Sequence, residues 1–325
     1  MAEKDFEITF RGVRGSIPTP ISPEKMKEKM LAVVERIEPS DIQDQDSRNA
    51  FVDSLPVEVG GIIGGNSSCV QASVAGKNFV FDCGSGLREL GLHWMGQEFG
   101  KGSGEAHIFV SHTHYDHILG IPFFVPFYIP GNRFKFYGGH NDLEDRLAGH
   151  QRPEFFPVPF SIFPSEISFT DLNEVSDLTI GDTKVSWKKN YHPGGSYAFR
   201  IDYNGKSFIY ATDSEYKDIG PQALQSVIDF FKDADLVVFD AQYTFMEGIE
   251  LKEDWGHSSA FIGIDIALEA NVRQLALYHH EPTYSDFKIM NVFQLAEKYL
   301  KKVGKGSDLQ VLVACEGETI DLNAS

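Results

Sequence analysis

Apolar residues alternate with polar ones, or run unbroken for a few positions, at Phe6–Phe10, Cys69–Val74, Asn78–Asp82, Ala106–Ser111, Lys184–Lys188, Ser196–Asp202, Lys206–Ala211, Leu236–Phe239, Gln274–Tyr278 and Leu309–Ala314. Each run has the length and residue types of a strand covered on one or both faces. Elsewhere the apolar period is helical. Across Pro23–Glu38, residues Met26, Met30, Val33, Val34 and Ile37 share one face behind the Ser22-Pro23 start signal, and similar patterns cover Pro221–Phe231, Ser258–Glu269 and Ser285–Lys301. Strands dominate first and then alternate with helices, an order that predicts a layered α/β fold of mixed sheets covered by helices.

The stretch from about Ile21 to Leu55 differs from this pattern. It is charged, helical and without strand character, carrying Asp41, Asp44, Asp46 and Asp53, and it reads as an inserted helical element. A solvated helix pair is the simpler expectation, and a lid or dimer contact the functional one. Two aromatic stretches, Phe123–Tyr128 and Phe155–Phe160, suit loop packing or the wall of a pocket.

With 325 residues, 42% of them apolar, the chain can bury a large core. Acidic residues number 47 against 29 basic, a formal charge of −18 that repels polyanions and argues against stable nucleic-acid binding. No apolar run is long enough to cross a bilayer, and Met1-Ala2-Glu3-Lys4-Asp5 lacks the layout of a secretory signal, so a cytoplasmic protein without membrane contact is expected. Cys69, Cys83 and Cys315 lack metal-knuckle spacing and read as reduced, mostly buried thiols.

The chemistry concentrates in Ser111-His112-Thr113-His114-Tyr115-Asp116-His117, directly after the apolar Ile108-Phe109-Val110. A lone histidine is usually structural. Three imidazoles and a carboxylate within six residues are costly to bury together without a cation, and they are the donors that zinc, manganese or iron accept. A loop at a strand end can turn alternate side chains toward two adjacent metals. Further candidate ligands follow other strand-like runs: His192 after Val185-Ser186-Trp187, Asp213 after Phe208–Thr212, and His279 after Leu275–Tyr278.

The motif His112-Thr113-His114-Tyr115-Asp116-His117 resembles the H-x-H-x-D-H signature of the metallo-β-lactamase superfamily, and Phe81-Asp82-Cys83-Gly84 resembles that family's early Asp-x-Gly turn. The resemblance implies a metallo-β-lactamase αββα sandwich, here one domain over residues 1–325 with the helical insertion at about 21–55. It also implies two divalent ions, with His112, His114 and His192 on one, Asp116, His117 and His279 on the other, and Asp213 bridging. The doublet His279-His280 leaves the register open by one residue, and the preceding strand favours His279.

Asp254-Trp255-Gly256-His257-Ser258-Ser259-Ala260 resembles the Gly-His-Ser/Thr-Thr-Ala element of the phosphodiesterase branch, which includes tRNase Z and small cyclic-phosphate phosphodiesterases. By that resemblance His257 protonates the leaving alkoxide and Asp240, after Leu236–Phe239, orients it. The tRNA-processing enzymes carry a long RNA-gripping arm between the positions matched by His192 and Asp213, which lie only 21 positions apart here. The Arg11–Pro18, Gly64–Cys69, Gly84–Leu90 and His192–Tyr197 segments are similar to phosphoribosyl cyclic phosphate and anti-Pycsar phosphodiesterases. The expected activity is hydrolysis of a small phosphodiester such as a cyclic nucleotide or cyclic phosphate, with a tRNase Z-like ribonuclease, a lactonase or a thioesterase as alternatives. Arg14 and Asn66 are candidate phosphate contacts, and family likeness suggests a homodimer.

Overall fold

In chain order the strands are β1 (Phe6–Gly12), β2 (Cys69–Val74), β3 (Lys77–Phe81), β4 (Glu105–Phe109), β5 (Arg133–Gly138), β6 (Glu166–Asp171), β7 (Leu178–Ile180), β8 (Thr183–Asn190), β9 (Ser196–Tyr203), β10 (Lys206–Ala211), β11 (Leu236–Asp240), β12 (Gln274–Tyr278), β13 (Gln310–Val313) and β14 (Thr319–Asp321). They come from a computed structural model that describes residues 6–218, 220–244, 247 and 254–324; the Met1–Asp5 segment read above lies outside the described residues.

Seven strands form one sheet in the order β14-β1-β2-β3-β4-β5-β6, and seven form a second in the order β13-β12-β11-β10-β9-β8-β7. Each sheet is antiparallel in one half and parallel in the other: β3 to β6 run parallel in the first, β10 to β13 in the second. Tight turns close the antiparallel halves. Ala75-Gly76 joins β2 to β3 and Asn204-Gly205 joins β9 to β10, all four residues at positive φ as a two-residue hairpin loop requires.

Side-chain alternation sorts the apolar residues into three cores. Phe79, Phe81, Phe109, Phe199, Phe208, Tyr210, Val238 and Tyr278 point inward and fill the space between the sheets. Their neighbours point outward. Val80, Ile108 and Val110 meet the helix Gly86–Trp94, while Ile209, Val237, Phe239 and Leu275 meet the helices Pro221–Phe231 and Ala260–Glu269. The central strands are covered on both faces, which explains their unbroken apolar runs. The result is the expected αββα layering.

The 21–55 region is helical as expected, with helices at Pro23–Val34 and Gln45–Ser54. Ser22 caps the first, accepting from the Lys25 N–H at 3.2 Å. Its expected apolar face is not what it buries: Met26, Met30 and Val34 are exposed, and Lys29 is buried instead. The reason is local satisfaction of the charge. Lys29 Nζ donates to the carbonyls of Glu58 (2.7 Å) and Gly61 (2.9 Å) and pairs with Asp286 at 2.9 Å. Among the described residues, no helix is long and apolar enough to cross a membrane.

One buried histidine in this frame makes stability depend on pH. His107 stacks on Phe79 and Tyr137 between the sheets. Burial first, and then the Lys135 charge, lower it to about 4 from 6.5, with Glu105 opposing. The unfolded chain therefore binds a proton that the folded chain refuses in that window, so this contribution is intact above pH 6.5 and lost as pH falls toward 4. Relative to the parent, His107→Phe is expected to lose about 2–3 kcal/mol less stability between those two pH values. Chemical denaturation at both pH values measures this, and equal losses would rule His107 out as the titrating group.

Candidate metal centre

The parallel halves of the two sheets discharge their carboxyl ends at one edge, and the chemistry collects there. β4 leads into Ser111–His117, β10 into Asp213, β11 ends in Asp240, β12 leads into His279, and His192 follows β8. Backbone conformation helps to aim these groups. Asp82, Asp213, His279 and the nearby Ser16 all have positive φ (59°, 54°, 61° and 59°), a left-handed conformation that costs of order 1–3 kcal/mol for a residue with a side chain. Such strain persists where the surroundings hold it in place.

Two groups of side chains meet across the Asp213 carboxylate. In the first, His114 Nδ1 lies 2.9 Å from His112 Nε2 and 3.1 Å from His192 Nε2, and Asp213 Oδ2 is 3.7 Å from both His112 Nε2 and His192 Nε2. In the second, Asp116 Oδ2 is 3.2 Å from His117 Nε2 and 3.1 Å from His279 Nε2, while Asp213 Oδ1 is 3.3 Å and 3.4 Å from the same nitrogens. Asp213 thus presents one oxygen to each group.

A second layer of hydrogen bonds fixes the rings. Nδ1 donates to Ser111 Oγ from His112 (3.1 Å), to Asp82 Oδ2 from His117 (2.7 Å), to the Gly256 carbonyl from His192 (2.8 Å) and to Gln242 Oε1 from His279 (2.9 Å). Those tautomers leave each Nε2 as a lone pair facing inward, the usual support of a metal-ligating histidine. Asp82 is the hub of this layer: it also accepts from Ser111 N and Oγ and from Tyr210 OH. Close packing enforces the layout, since a Cβ on Gly256 (φ 85°) would lie 2.2 Å from His192 Nδ1, and one on Gly15 would lie 2.5 Å from His279 Nδ1.

The donor set fits cations. Among the described residues, His117 Nε2 is buried without a hydrogen-bond partner. Burial pulls His117 down, yet the Asp116, Asp213 and Asp82 carboxylates raise it well above its ordinary value. Despite burial, Asp213 is held well below the ordinary carboxylate range by His279, His117 and His112. These shifts describe a pocket that demands positive charge. Burial meanwhile lowers His112, His114 and His192, favouring the neutral imidazole that ligates metal. The sets His112/His114/His192 and Asp116/His117/His279 each converge closely enough to hold an ion.

His257 stands beside the cluster. Its Nδ1 hydrogen-bonds Asp240 Oδ2 at 2.9 Å and lies 3.8 Å from Asp213 Oδ2. Burial alone would lower it, but the charge and hydrogen bond of Asp240, with Asp213 and Asp116 beyond, raise it to about 9. Together with His114, Asp116 and Asp213 it lines a cleft of about 1260 Å³.

All seven candidate ligands therefore meet, and His279 rather than His280 faces the cluster: His280 Nε2 turns to the Ala314 carbonyl at 3.1 Å. Arg14 and Asn66 require correction, because neither lines this cleft. Arg14 is a buried brace, donating to the Gly64 and Tyr284 carbonyls (2.7 and 3.1 Å) and pairing with Asp286 at 3.0 Å. Asn66 is occupied by Ser85 and Glu316. Sequence reading missed Ser16, whose N–H donates to Asp116 Oδ2 at 2.8 Å, and Gln242, which donates to Ser16 Oγ and accepts from His279. Neither carries a sequence signal of its own.

A cluster of imidazoles and carboxylates at the joined carboxyl edges of an αββα sandwich defines a metallo-hydrolase scaffold. The chain belongs to the metallo-β-lactamase superfamily: the family model described as the β-lactamase superfamily domain matches residues 77–280. Relatives include the probable metallo-hydrolase YhfI of Bacillus subtilis, 28% identical over 226 residues (67% of this chain, 85% of the relative), and a ribonuclease Z of Haloferax volcanii, 24% identical over 296 residues (76% and 86%). In fold the chain is similar to the crystal structure of YhfI from Bacillus subtilis (TM-score 0.63, 19% identity, 98% and 99% covered) and to human tRNase Z, short form (0.56, 15%, 97% and 99%).

The Asp82 hub gives a direct test. Asp82→Asn keeps the side-chain volume but removes the charge that orients His117 and Ser111, and metal affinity is expected to fall about 10- to 100-fold. Competition with a chromophoric chelator measures it, with circular dichroism as the folding control; unchanged affinity would show that Asp82 serves the fold alone.

Proposed function

We propose that the protein is a dinuclear metal-dependent phosphodiesterase acting on a small phosphodiester, a cyclic nucleotide or cyclic phosphate. His112, His114, His192 and Asp213 Oδ2 hold one ion, and Asp116, His117, His279 and Asp213 Oδ1 the other; zinc or manganese suits this donor set, and iron is also accepted. Two such ions supply Lewis acidity, polarising a phosphoryl oxygen and lowering the pKa of water.

The observation that carries the reading is the His257–Asp240 pair beside Asp213. Asp240 holds His257 by Nδ1 and favours its protonated form, which leaves the Nε2 proton for donation to a leaving alkoxide. An alkoxide is a poor leaving group and needs that proton; lactone and thioester hydrolysis make less demand on it. The segment between His192 and Asp213 supports a small substrate, since it is spent on the β9–β10 hairpin and leaves no room for an RNA-gripping arm. Relatives named ribonuclease Z keep transfer-RNA processing as the second reading.

Turnover of the metal-analysed protein on cyclic nucleotides, a bis-aryl phosphodiester, precursor tRNA, a lactone and a thioester tests the proposal, with Asp213→Ala as the inactive control. Hydrolysis of a cyclic nucleotide or the aryl diester by the parent alone is expected. His257→Ala is expected to retain its metal and lose turnover by about 10²-fold or more. Turnover confined to the lactone or thioester would leave the metal centre standing and remove His257 from its role.

A further inference from the structure

With Arg14 turned away, the cleft must draw recognition of its substrate from other side chains. A cleft of about 1260 Å³ exceeds the roughly 300–1000 Å³ usual for small-molecule sites, so there is room beyond the phosphate for the rest of a ligand. One part of its wall comes from the helix Leu143–His150 and the loop that follows. That wall combines cationic and aromatic side chains, a combination that stands out in a chain of net charge −18.

Phe155 lines the cleft with 66% of its surface exposed, and the Arg152 guanidinium lies 5.5 Å from its ring centroid. Asp145 and Glu154 line the same wall, yet among the described residues no carboxylate pairs with Arg152. A large ring left open to solvent beside an unpaired guanidinium contributes little to the core. It offers an apolar face and a flat cation to a planar ligand. Tyr115 and Phe123, 71% and 49% exposed, add aromatic surface to the same cleft.

The wall is anchored to the candidate metal centre. Phe156 packs edge-on against Phe123 with centroids 5.5 Å apart. Arg146 pairs with Asp142 at 2.7 Å and donates to Thr113 Oγ1 at 3.3 Å, and Thr113 lies between His112 and His114. The helix is thereby tied to the ligand-bearing loop.

We propose that Phe155 and Arg152 form a nucleobase platform: the base stacks on the ring and the guanidinium plane while the phosphate lies at the His/Asp cluster. Base stacking on aromatic and Arg side chains tolerates different bases, so the platform selects for a nucleoside arm rather than for one base. The inference rests on the phosphodiesterase reading only for where the phosphate lies.

Calorimetric titration of the metal-loaded protein with AMP and with ribose 5-phosphate separates the base from the sugar phosphate. The parent is expected to bind AMP about 10-fold or more tightly than ribose 5-phosphate. Phe155→Ala and Arg152→Ala are each expected to shrink that ratio several-fold; both side chains lie outside the apolar cores, so folding is not at stake. Equal affinities in the parent, or a ratio untouched in both variants, would overturn the platform. A short single-stranded RNA as third ligand distinguishes sources: if it binds more tightly than AMP and loses that advantage in Phe155→Ala, the platform takes an RNA end rather than a free nucleotide. The two proposals fail separately. Cyclic-nucleotide hydrolysis with no AMP preference removes the platform alone, and an AMP preference without phosphodiester hydrolysis removes the phosphodiesterase reading alone.

Discussion

A single buried carboxylate joins the two halves of the candidate centre. Asp213 offers Oδ2 to His112 and His192 and Oδ1 to His117 and His279, and its φ of 54° sets that aim. Thr212 Oγ1 donates to Oδ1 at 2.6 Å and restrains the carboxylate. Nothing in that arrangement tolerates a shift of one residue, because Asp213 follows a strand whose alternation is fixed by Phe208 and Tyr210 inward and Ile209 and Ala211 outward. The packing between the sheets therefore decides where the carboxylate stands.

The same dependence explains why strained residues gather at one edge. Asp82, Asp213 and His279 each follow a fully buried strand end and each take a left-handed conformation. Such residues stay in place because three apolar cores and the Asp82 hydrogen-bond hub leave the backbone no cheaper path. Conformational strain at the centre is offset by packing elsewhere. The buried Arg14–Asp286–Lys29 cluster has a comparable architectural role: it ties β1's exit to the helix Asp286–Val303 and to the 21–55 region, so Arg14 braces the fold and does not line the cleft.

Much of this was legible in the sequence, for physical reasons that also set its limits. The ligands of His112–His117 are contiguous and chemically dense, and His192, Asp213 and His279 each follow a run whose apolar pattern marks a strand, so local patterning reached them. β5 and β6 fall outside the runs read from the sequence although Arg133–Phe136 and Glu166–Phe169 alternate polar and apolar residues; each offers only two apolar positions in that alternation, and pairing with neighbouring strands secures them. The burial of Lys29 was not legible, because its three acceptors come from Glu58, Gly61 and Asp286, the last far away in sequence. Arg14 and Asn66 are candidate phosphate contacts by side-chain type and by the Gly-Gly-Asn turn, and only the tertiary structure shows their hydrogen-bonding capacity already filled.

Net charge then bears on how such a centre draws an anionic ligand. A chain at −18 offers no long-range attraction to a phosphate, so attraction must be local. Within the cleft, Asp116 and Asp213 add further negative charge, which the raised His117 and His257 offset in part and which cations held by the imidazole clusters would offset further. Cations at those clusters would satisfy the carboxylates that raise His117 and would make the field that an incoming anion meets more positive. The guanidiniums of Arg146 and Arg152 lie at the wall of the same cleft, but Asp145 and Glu154 line it as well and Arg146 is paired with Asp142, so the wall is of mixed charge. Of the two guanidiniums, only that of Arg152 has no carboxylate partner among the described residues, so local positive charge at the wall is confined to one side chain.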